Sequence, residues 1–323
     1  MKALVFNAYG SAENLQETEM PTPDIGSTDI LIENHASTVN VLDTRIRNGE
    51  LHIITGKSFP KISGIDVAGI VKSVGNDVTG FKPGDAVYGA LHPFKGGAHA
   101  EIVTISQDAA AITPKGITMG EAACIPITGL AALVALRDIG QVRKGTRLLI
   151  NGCSGAAGLF AIQLAKYFGC EITGVCGPNG QEISHNLGAD TVINYKEEDV
   201  SQSTTRFDVI VDFAGKLPFK TARKLMTQDG RYIDPSPDPA KMIGSKLANP
   251  FRSQKNLMLQ TFSKKEDLEF LSNLFESGAF KPVIAERFPL KQAQNAFLSM
   301  ESGGSVGKIV IDIVTPNLNQ KET

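Results

Sequence analysis

The chain has few of the features that would settle its class at once. Cysteine is scarce: the four are Cys124, Cys153, Cys170 and Cys176, and no two form a C-x-x-C pair. Neither a disulfide framework nor a cysteine-rich zinc lobe is indicated. Long apolar runs are absent, so no segment has membrane-spanning length. The opening MKALVFNAYG carries a lysine but no apolar core of signal-peptide length. A cytoplasmic address with no membrane partner is the expectation. Runs of like charge are also absent and the net charge is -2, which offers no basic patch for nucleic acid. There is no internal repeat and no low-complexity tract. At 42% apolar and 20% charged residues over 323 positions, the chain has a globular composition and room for two domains.

What is present centres on residues 147–168, RLLINGCSGAAGLFAIQLAKYF. Leu148, Leu149 and Ile150 suit a buried parallel strand, and residues 152–158 are a small-residue turn. Leu159, Ile162, Gln163, Leu164, Ala165 and Phe168 then continue at helical spacing. Strand, turn and helix in that order make a phosphate cradle, with free N–H groups and the positive end of the helix dipole facing the ligand. In the G-x-G-x-x-G fingerprint, Gly155 and Gly158 take the second and third positions, and Cys153 takes the first. A small-residue helix packed on a sheet without a ligand is the competing reading. The strand–helix units that follow favour the cradle.

Before this stretch the chain reads as β-rich, with strands expected at 3–6, 30–36, 67–74, 86–91 and 98–105. Turns at Pro21-Thr22-Pro23, Gly75-Asn76-Asp77 and Lys82-Pro83-Gly84-Asp85 separate them and suggest a closed or nearly closed barrel. Helical spacing is confined there to 39–47. After Pro114, helices are expected at 118–123 and 128–139. Strands at 172–176, 191–195, 208–213, 231–234 and 256–262 then alternate with helices at 181–187 and 219–226. Such alternation argues a doubly wound parallel sheet. Residues 235–250, with four prolines, read as a surface insertion or lid. Helices at 265–276 and 290–300 and a strand at 308–313 close the chain, and the polar residues from Pro316 read as frayed.

Several segments carry a family resemblance: Asn40-Val41-Leu42-Asp43, Gly64-Ile65-Asp66-Val67-Ala68-Gly69-Ile70-Val71, Phe81-Lys82-Pro83-Gly84-Asp85, Thr128-Gly129-Leu130-Ala131-Ala132, Val192-Ile193-Asn194-Tyr195 and Gly307-Lys308-Ile309-Val310. With the small-residue turn they make the chain resemble, nearly end to end, the zinc-free quinone oxidoreductase branch of the medium-chain dehydrogenase/reductases. The resemblance implies an α/β protein with a GroES-like β-barrel catalytic domain and a Rossmann domain. The expected division is 1–124 for the first part of the catalytic domain, 125–264 for the Rossmann NADP-binding domain and 265–323 for the return to the catalytic domain. Within the branch the chain looks most like alkenal and quinone reductases acting on conjugated carbonyls.

Zinc-dependent relatives carry a cysteine where this chain has Asn40, a histidine where it has Ile65, and a third ligand where it has Cys124. One thiolate is no site for a metal that takes three protein ligands, so no metal is expected. His35, His52, His92, His99 and His185 show no ligand spacing. NAD-selective sites place an acidic residue at the end of the second strand. Residues 176–180 read Cys-Gly-Pro-Asn-Gly there, with no carboxylate to repel a 2′-phosphate, and NADPH is the expected cofactor. No Lys or Arg stands at Pro178 or Asn179, where relatives often place one. Tyr195 matches the family tyrosine beside the adenosine phosphate; a strand-end aromatic covering the sheet is the equal alternative. The expected cofactor-binding set is Ser154, Gly155, Ala156, Ala157, Gly158, Cys176, Asn179, Tyr195, Ala214, Phe262 and Lys308. For Lys308, an exposed strand-start lysine competes with a reach into the cleft.

Without a metal, a carbonyl can be polarised only by hydrogen-bond donors. Quinones and α,β-unsaturated carbonyls delocalise the developing charge and suit such a site, whereas a saturated ketone does not. The catalytic candidates are Asn40, Thr128 and His52. The family match puts Asn40 and Thr128 near the nicotinamide; a turn asparagine and a helix N-cap are the alternatives. Relatives carry a tyrosine after an Arg-x-Gly turn, but here Arg47-Asn48-Gly49 is followed by Glu50, Leu51 and His52. His52 is either the replacement proton donor or an exposed loop histidine. Asp66 is assigned a charge-pairing role. An NADPH-binding protein with little turnover and an enoyl-thioester reductase are the alternatives to a quinone or enone reductase. The 256–262 segment, NLMLQTF, falls at a sheet edge and is apolar enough to pair with its copy in a homodimer.

Overall fold

A computed structural model of the chain describes residues 1–235 and 239–314. The first third is made of strands because buried and exposed positions alternate over short runs. β1 (Lys2–Phe6) buries its ALVF run, and β2 (Leu15–Glu19) buries only Leu15. β3 (Asp29–Val39) alternates as far as His35 and is then buried through Val39. α1 (Val41–Arg47) and the single turn α2 (His52–Thr55) interrupt the strands. β4 (Lys61–Ile62), β5 (Asp66–Val74), β6 (Ala86–Ala90), β7 (Ile102–Ser106) and β8 (Ala110–Ile112) follow. α3 (Met119–Cys124) starts at a Thr118–Glu121 capping box. α4 (Pro126–Leu133) starts with proline at its first turn and runs on as a π-helix over Val134–Gly140.

The alternating half begins at β9 (Arg147–Asn151) and α5 (Ala156–Tyr167), followed by β10 (Glu171–Cys176), α6 (Gln181–Leu187) and β11 (Thr191–Asn194). β12 (Phe207–Asp212), α7 (Phe219–Leu225), β13 (Met226–Asp234), α8 (Pro239–Ala248) and β14 (Lys255–Met258) complete it. α9 (Lys265–Glu276), β15 (Ile284–Pro289), α10 (Ala293–Ser302) and β16 (Lys308–Asp312) end the described chain.

The strands from β9 to β14 form one parallel sheet in the order β11-β10-β9-β12-β13-β14. The crevice of a doubly wound sheet lies where the order reverses, beyond the C-terminal ends of β9 and β12. The remaining strands form β2-β1-β4 and β15-β16-β3-β5-β6-β8, with β7 also on β3. β16 pairs antiparallel with β3 and parallel with β15, so the end of the chain returns to the strands near its start. At its N-terminal side, Gly307 bridges Gly155 of the small-residue turn. That contact brings the two halves together at the crevice. The main core runs under it, from Cys124 and Leu130 through Leu148 and Ile162 to Val310.

Several elements depart from the expected bounds. The 98–105 strand is regular only from Ile102, because the Ala98–Ala100 backbone bonds to β1 and to Asn34 instead. The 128–139 helix starts two residues earlier, at Pro126, so Thr128 lies inside α4 and is not its N-cap. The Asp229-Gly230 pair does not end before a strand; it sits in a register slip within β13. The 256–262 strand stops at Met258, which leaves Phe262 in the following loop. The 290–300 helix is regular only from Ala293, after a 3-10 turn over Leu290–Gln292. Most of the 235–250 insertion is α8; residues 236–238 and the tail from Pro316 lie outside the described residues. β2 and β15 carry no clear alternation because each is the edge strand of its sheet, with one side open.

Candidate active site

The turn after β9 explains how a fingerprint tolerates Cys153. The left-handed residue is Gly152, with φ of 84°, so no β-carbon is needed in that region. The Cys153 side chain is buried against β10, where Gly174 leaves space: a β-carbon on Gly174 would come within 2.6 Å of the sulfur. Gly158 is equally constrained, since its β-carbon would lie 2.2 Å from the Gly152 carbonyl. α5 can therefore sit directly on the turn. Gly155 is its N-cap with no side-chain cap, and Ala156, Ala157 and Gly158 are its first residues. Their N–H groups have no acceptor within the helix and point into the crevice side of the turn. Ser154, Gly155, Ala156 and Ala157 are half-buried.

The end of β10 forms the next wall. Cys176 is buried, and the hydrogen bond from Cys153 lowers its thiol to about 7 while the Cys153 thiol is pushed up. Pro178–Gly180 is a 3-10 turn with Pro178 and Asn179 exposed. Tyr195 is 60% exposed; its N–H donates to the Cys176 carbonyl at 3.1 Å, and its hydroxyl stands over Gly177, 3.3 Å from where a β-carbon would be. Tyr195 is thus an outer face of this turn and not a cover for the sheet. Ala214 packs on Gly152 from the end of β12, and its N–H donates to the Asn151 carbonyl at 3.2 Å. Phe262 is half exposed and faces His92, with ring centroids 5.6 Å apart.

A polar network stands where the halves meet. Asp66, at the start of β5, is fully buried and is its hub. Its Oδ1 accepts the backbone N–H of Ile127 at 2.8 Å, in the first turn of α4. Its Oδ2 accepts the Asn40 Nδ2–H at 2.8 Å and the Thr38 hydroxyl, and pairs with Lys308 Nζ at 3.4 Å. Lys308 is only 2% exposed, and its ammonium also donates to Asn40 Oδ1. Asn40 is the N-cap of α1, and its N–H donates to Asp43 Oδ2 at 2.8 Å. Burial lifts the Asp43 carboxyl to about 7, and the neighbouring Asp66 adds to this. His99, whose Nε2 bonds the Thr38 carbonyl at 3.1 Å, is held down to about 4 by burial.

The structure therefore brings Asn40 and Lys308 into direct contact and sets Gly307 N–H on the Ser154 carbonyl at 3.2 Å. Thr128 is half-buried one residue beyond Ile127, and its hydroxyl donates back to the Cys124 carbonyl at 2.7 Å. Its oxygen is left as an acceptor. His52 is not brought in: it is exposed, and its Nδ1 bonds the Gly49 carbonyl at 2.8 Å. The loop after Gly49 is instead reached by Tyr9, whose hydroxyl bonds Thr55 Oγ1 at 2.9 Å. Thr38, Asp43 and His99 were not identifiable as site residues. Only the Asn-x-x-Asp spacing at a helix start hinted at Asp43.

The three positions that correspond to a catalytic zinc site do not fit zinc. Asn40 has its amide committed to Lys308 and Asp66, and Ile65 is a buried hydrocarbon. The Cys124 thiol is pushed up to about 12 by burial and donates to the Gly120 carbonyl at 3.1 Å. Among the described residues, no three His, Cys, Asp or Glu side chains are grouped to hold a metal ion. No described helix is long and apolar enough to cross a membrane.

Known proteins share this fold. Residues 26–133 match the alcohol dehydrogenase GroES-like domain, and residues 187–311 match a family described as zinc-binding dehydrogenase. The chain is 32% identical over 323 residues to a chloroplast envelope quinone oxidoreductase homolog from Arabidopsis thaliana, covering 97% of this chain and 98% of that one. The solved quinone oxidoreductase of Coxiella burnetii superposes with a TM-score of 0.91 at 28% identity, over 97% of this chain and 99% of that one. The Escherichia coli quinone oxidoreductase complexed with NADPH superposes with a TM-score of 0.84 at 27% identity, over 97% and 100%.

Proposed function

The chain belongs to the zinc-free quinone oxidoreductase branch of the medium-chain dehydrogenase/reductase superfamily, and we propose that this oxidoreductase uses NADPH to reduce quinones or α,β-unsaturated carbonyls. The observation that carries the proposal is the juxtaposition at Gly307: uncapped N–H groups of α5 on one side, and the Asn40–Asp66–Lys308 network on the other. Ser154, Gly155, Ala156, Ala157 and Gly158 would hold the pyrophosphate. Cys176, Asn179 and Tyr195 would flank the adenosine end, where residues 176–180 hold no carboxylate. Ala214 would line the floor, Phe262 the rim, and the Lys308 backbone the junction. Residues 1–124 and 265–323 would form the catalytic unit around a 125–264 cofactor unit.

Bound NADPH supplies a hydride from the nicotinamide C4. The Asn40 amide nitrogen, which donates to Asp66 and also lies against the Asp43 carboxyl, would meet the acceptor oxygen from this position. Thr128 would accept a hydrogen bond on the nicotinamide side. A hydrogen-bond donor supports a charge spread over an enolate or phenolate far better than a localised alkoxide, which selects conjugated acceptors. The resulting anion then takes its proton from solvent, on the α-carbon of an enone or on the oxygen of a quinone, since His52 is turned to its own loop.

The edge strand β14, with exposed Leu247 and Phe251 beside it, would pair with a second copy to give a homodimer. Sedimentation as a monomer at micromolar concentration refutes that assembly. For the activity, chelator-treated protein should oxidise NADPH with a small enone or benzoquinone, and NADH more slowly. Tight NADPH binding without turnover on either acceptor would replace the reductase with a cofactor-binding protein.

A further inference from the structure

The network around Asn40 has more parts than capping a helix requires. A carboxamide can be turned over by half a rotation at little cost unless its neighbours distinguish oxygen from nitrogen. Here they do. Oδ1 receives the Lys308 ammonium, and Nδ2 donates to Asp66 at 2.8 Å. The flipped amide would set its oxygen against a carboxylate and its N–H groups against an ammonium. Lys308 and Asp66 are 2% and 0% exposed, so neither charge can turn to water instead.

A buried ion pair is a poor device for stability alone, because well-packed apolar residues serve as well or better. The pair is completed by donors from three elements: Thr38 from β3, Ile127 N–H from α4 and Asn40 from the start of α1. Every one of these bonds helps to set where Asn40 stands relative to the crevice. A cationic donor on Oδ1 also draws density from the amide, which makes its Nδ2–H groups better donors.

We propose that Lys308 is a positioning residue for hydride acceptance: its ammonium, anchored by Asp66, fixes the Asn40 carboxamide in the one orientation that turns its amide nitrogen toward the acceptor oxygen. The proposal deepens the reductase assignment and rests on it. It differs from a cofactor-phosphate role for the Lys308 side chain, which would be felt in cofactor affinity.

The test compares wild type with K308M, K308R, D66N and N40A in three measurements. These are NADPH dissociation constants by cofactor fluorescence, single-turnover hydride transfer to benzoquinone, and the side-chain amide resonances of Asn40 in ¹⁵N-labelled protein without cofactor. K308M should slow hydride transfer about 10- to 100-fold while NADPH affinity stays within about threefold, and N40A should lose as much. The Asn40 amide resonances should move in K308M and return toward wild type in K308R, as should part of the rate. D66N should reproduce the split between rate and affinity if K308M does not fold. A K308M enzyme with weakened NADPH binding and an unchanged saturated rate overturns the proposal in favour of a cofactor-phosphate role. Unmoved Asn40 resonances in K308M overturn it outright. If wild type reduces no acceptor, the reductase assignment fails instead, and the resonance measurement alone decides whether Lys308 orients Asn40.

Discussion

Asp43 and His99 are both buried close to Asp66, and burial moves them in opposite directions. Asp43 has a folded value of about 7 against 3.8 unfolded, so it binds more protons when folded across that interval. Its contribution to stability is complete below 3.8 and is lost as pH rises toward 7. His99 has a folded value of about 4 against 6.5 unfolded, so its contribution is complete above 6.5 and is lost as pH falls toward 4. Within the overlap the two slopes oppose each other. In D43N, urea-derived stability should rise with pH by about 1.4 kcal/mol per unit from His99 alone, and in H99Q it should fall by a similar amount. Equal slopes in the two variants would contradict both assignments. Neither residue announces this in the sequence. Asp43 reads as a cap and His99 as one histidine among five, because burial to near zero exposure is a property of the assembled sheets.

At the scale of elements, the cradle depends on an exchange between neighbouring strands. Cys153 occupies a glycine position because Gly174 on β10 makes room for its sulfur. G174A should destabilise the protein by about 1–3 kcal/mol through overpacking, and C153G should recover most of that loss in the double variant. Thermal denaturation of the four proteins closes the cycle, and additive effects would show that the two side chains do not meet. The turn after β10 tests cofactor choice. N179D places a carboxylate beside the expected 2′-phosphate and should lower the NADPH-over-NADH preference by about tenfold or more, read from the two dissociation constants. An unchanged ratio would move the 2′-phosphate site elsewhere, with Lys196 beside Tyr195 as the next cation in the chain. The strand–turn–helix unit was legible before the fold because it is local: all three parts lie within 147–168. The limits of the Asn256 strand and the start of α4 were not, since Met258 ends where its partner β13 ends and Pro126 precedes the apolar spacing.

For the molecule as a whole, the two halves are tied at the crevice by Gly307 N–H on Ser154 and by Ile127 N–H on Asp66. Cofactor binding should accordingly stabilise both halves together. With free NADPH at a hundred times its dissociation constant, the gain is about 2.7 kcal/mol, and amide exchange should slow on β3 and β16 as well as on α5. Protection confined to the parallel sheet would mean that the halves respond independently.

The residue order by itself determined the α/β class, the strand-rich first third, the alternating half and the strand–turn–helix unit at 147–168. These are short-range patterns: apolar period, turn chemistry and residue type at matched positions. Tertiary structure alone decided that Lys308 is buried on Asn40 and Asp66, that Thr128 lies inside a helix, that His52 faces away and that Tyr9 reaches the loop after Gly49. Each depends on contacts between residues far apart in the chain, 268 positions in the case of Asn40 and Lys308. Whether a charged side chain is exposed or enclosed is set by which strand returns beside it, and no local pattern around Lys308 carries that information.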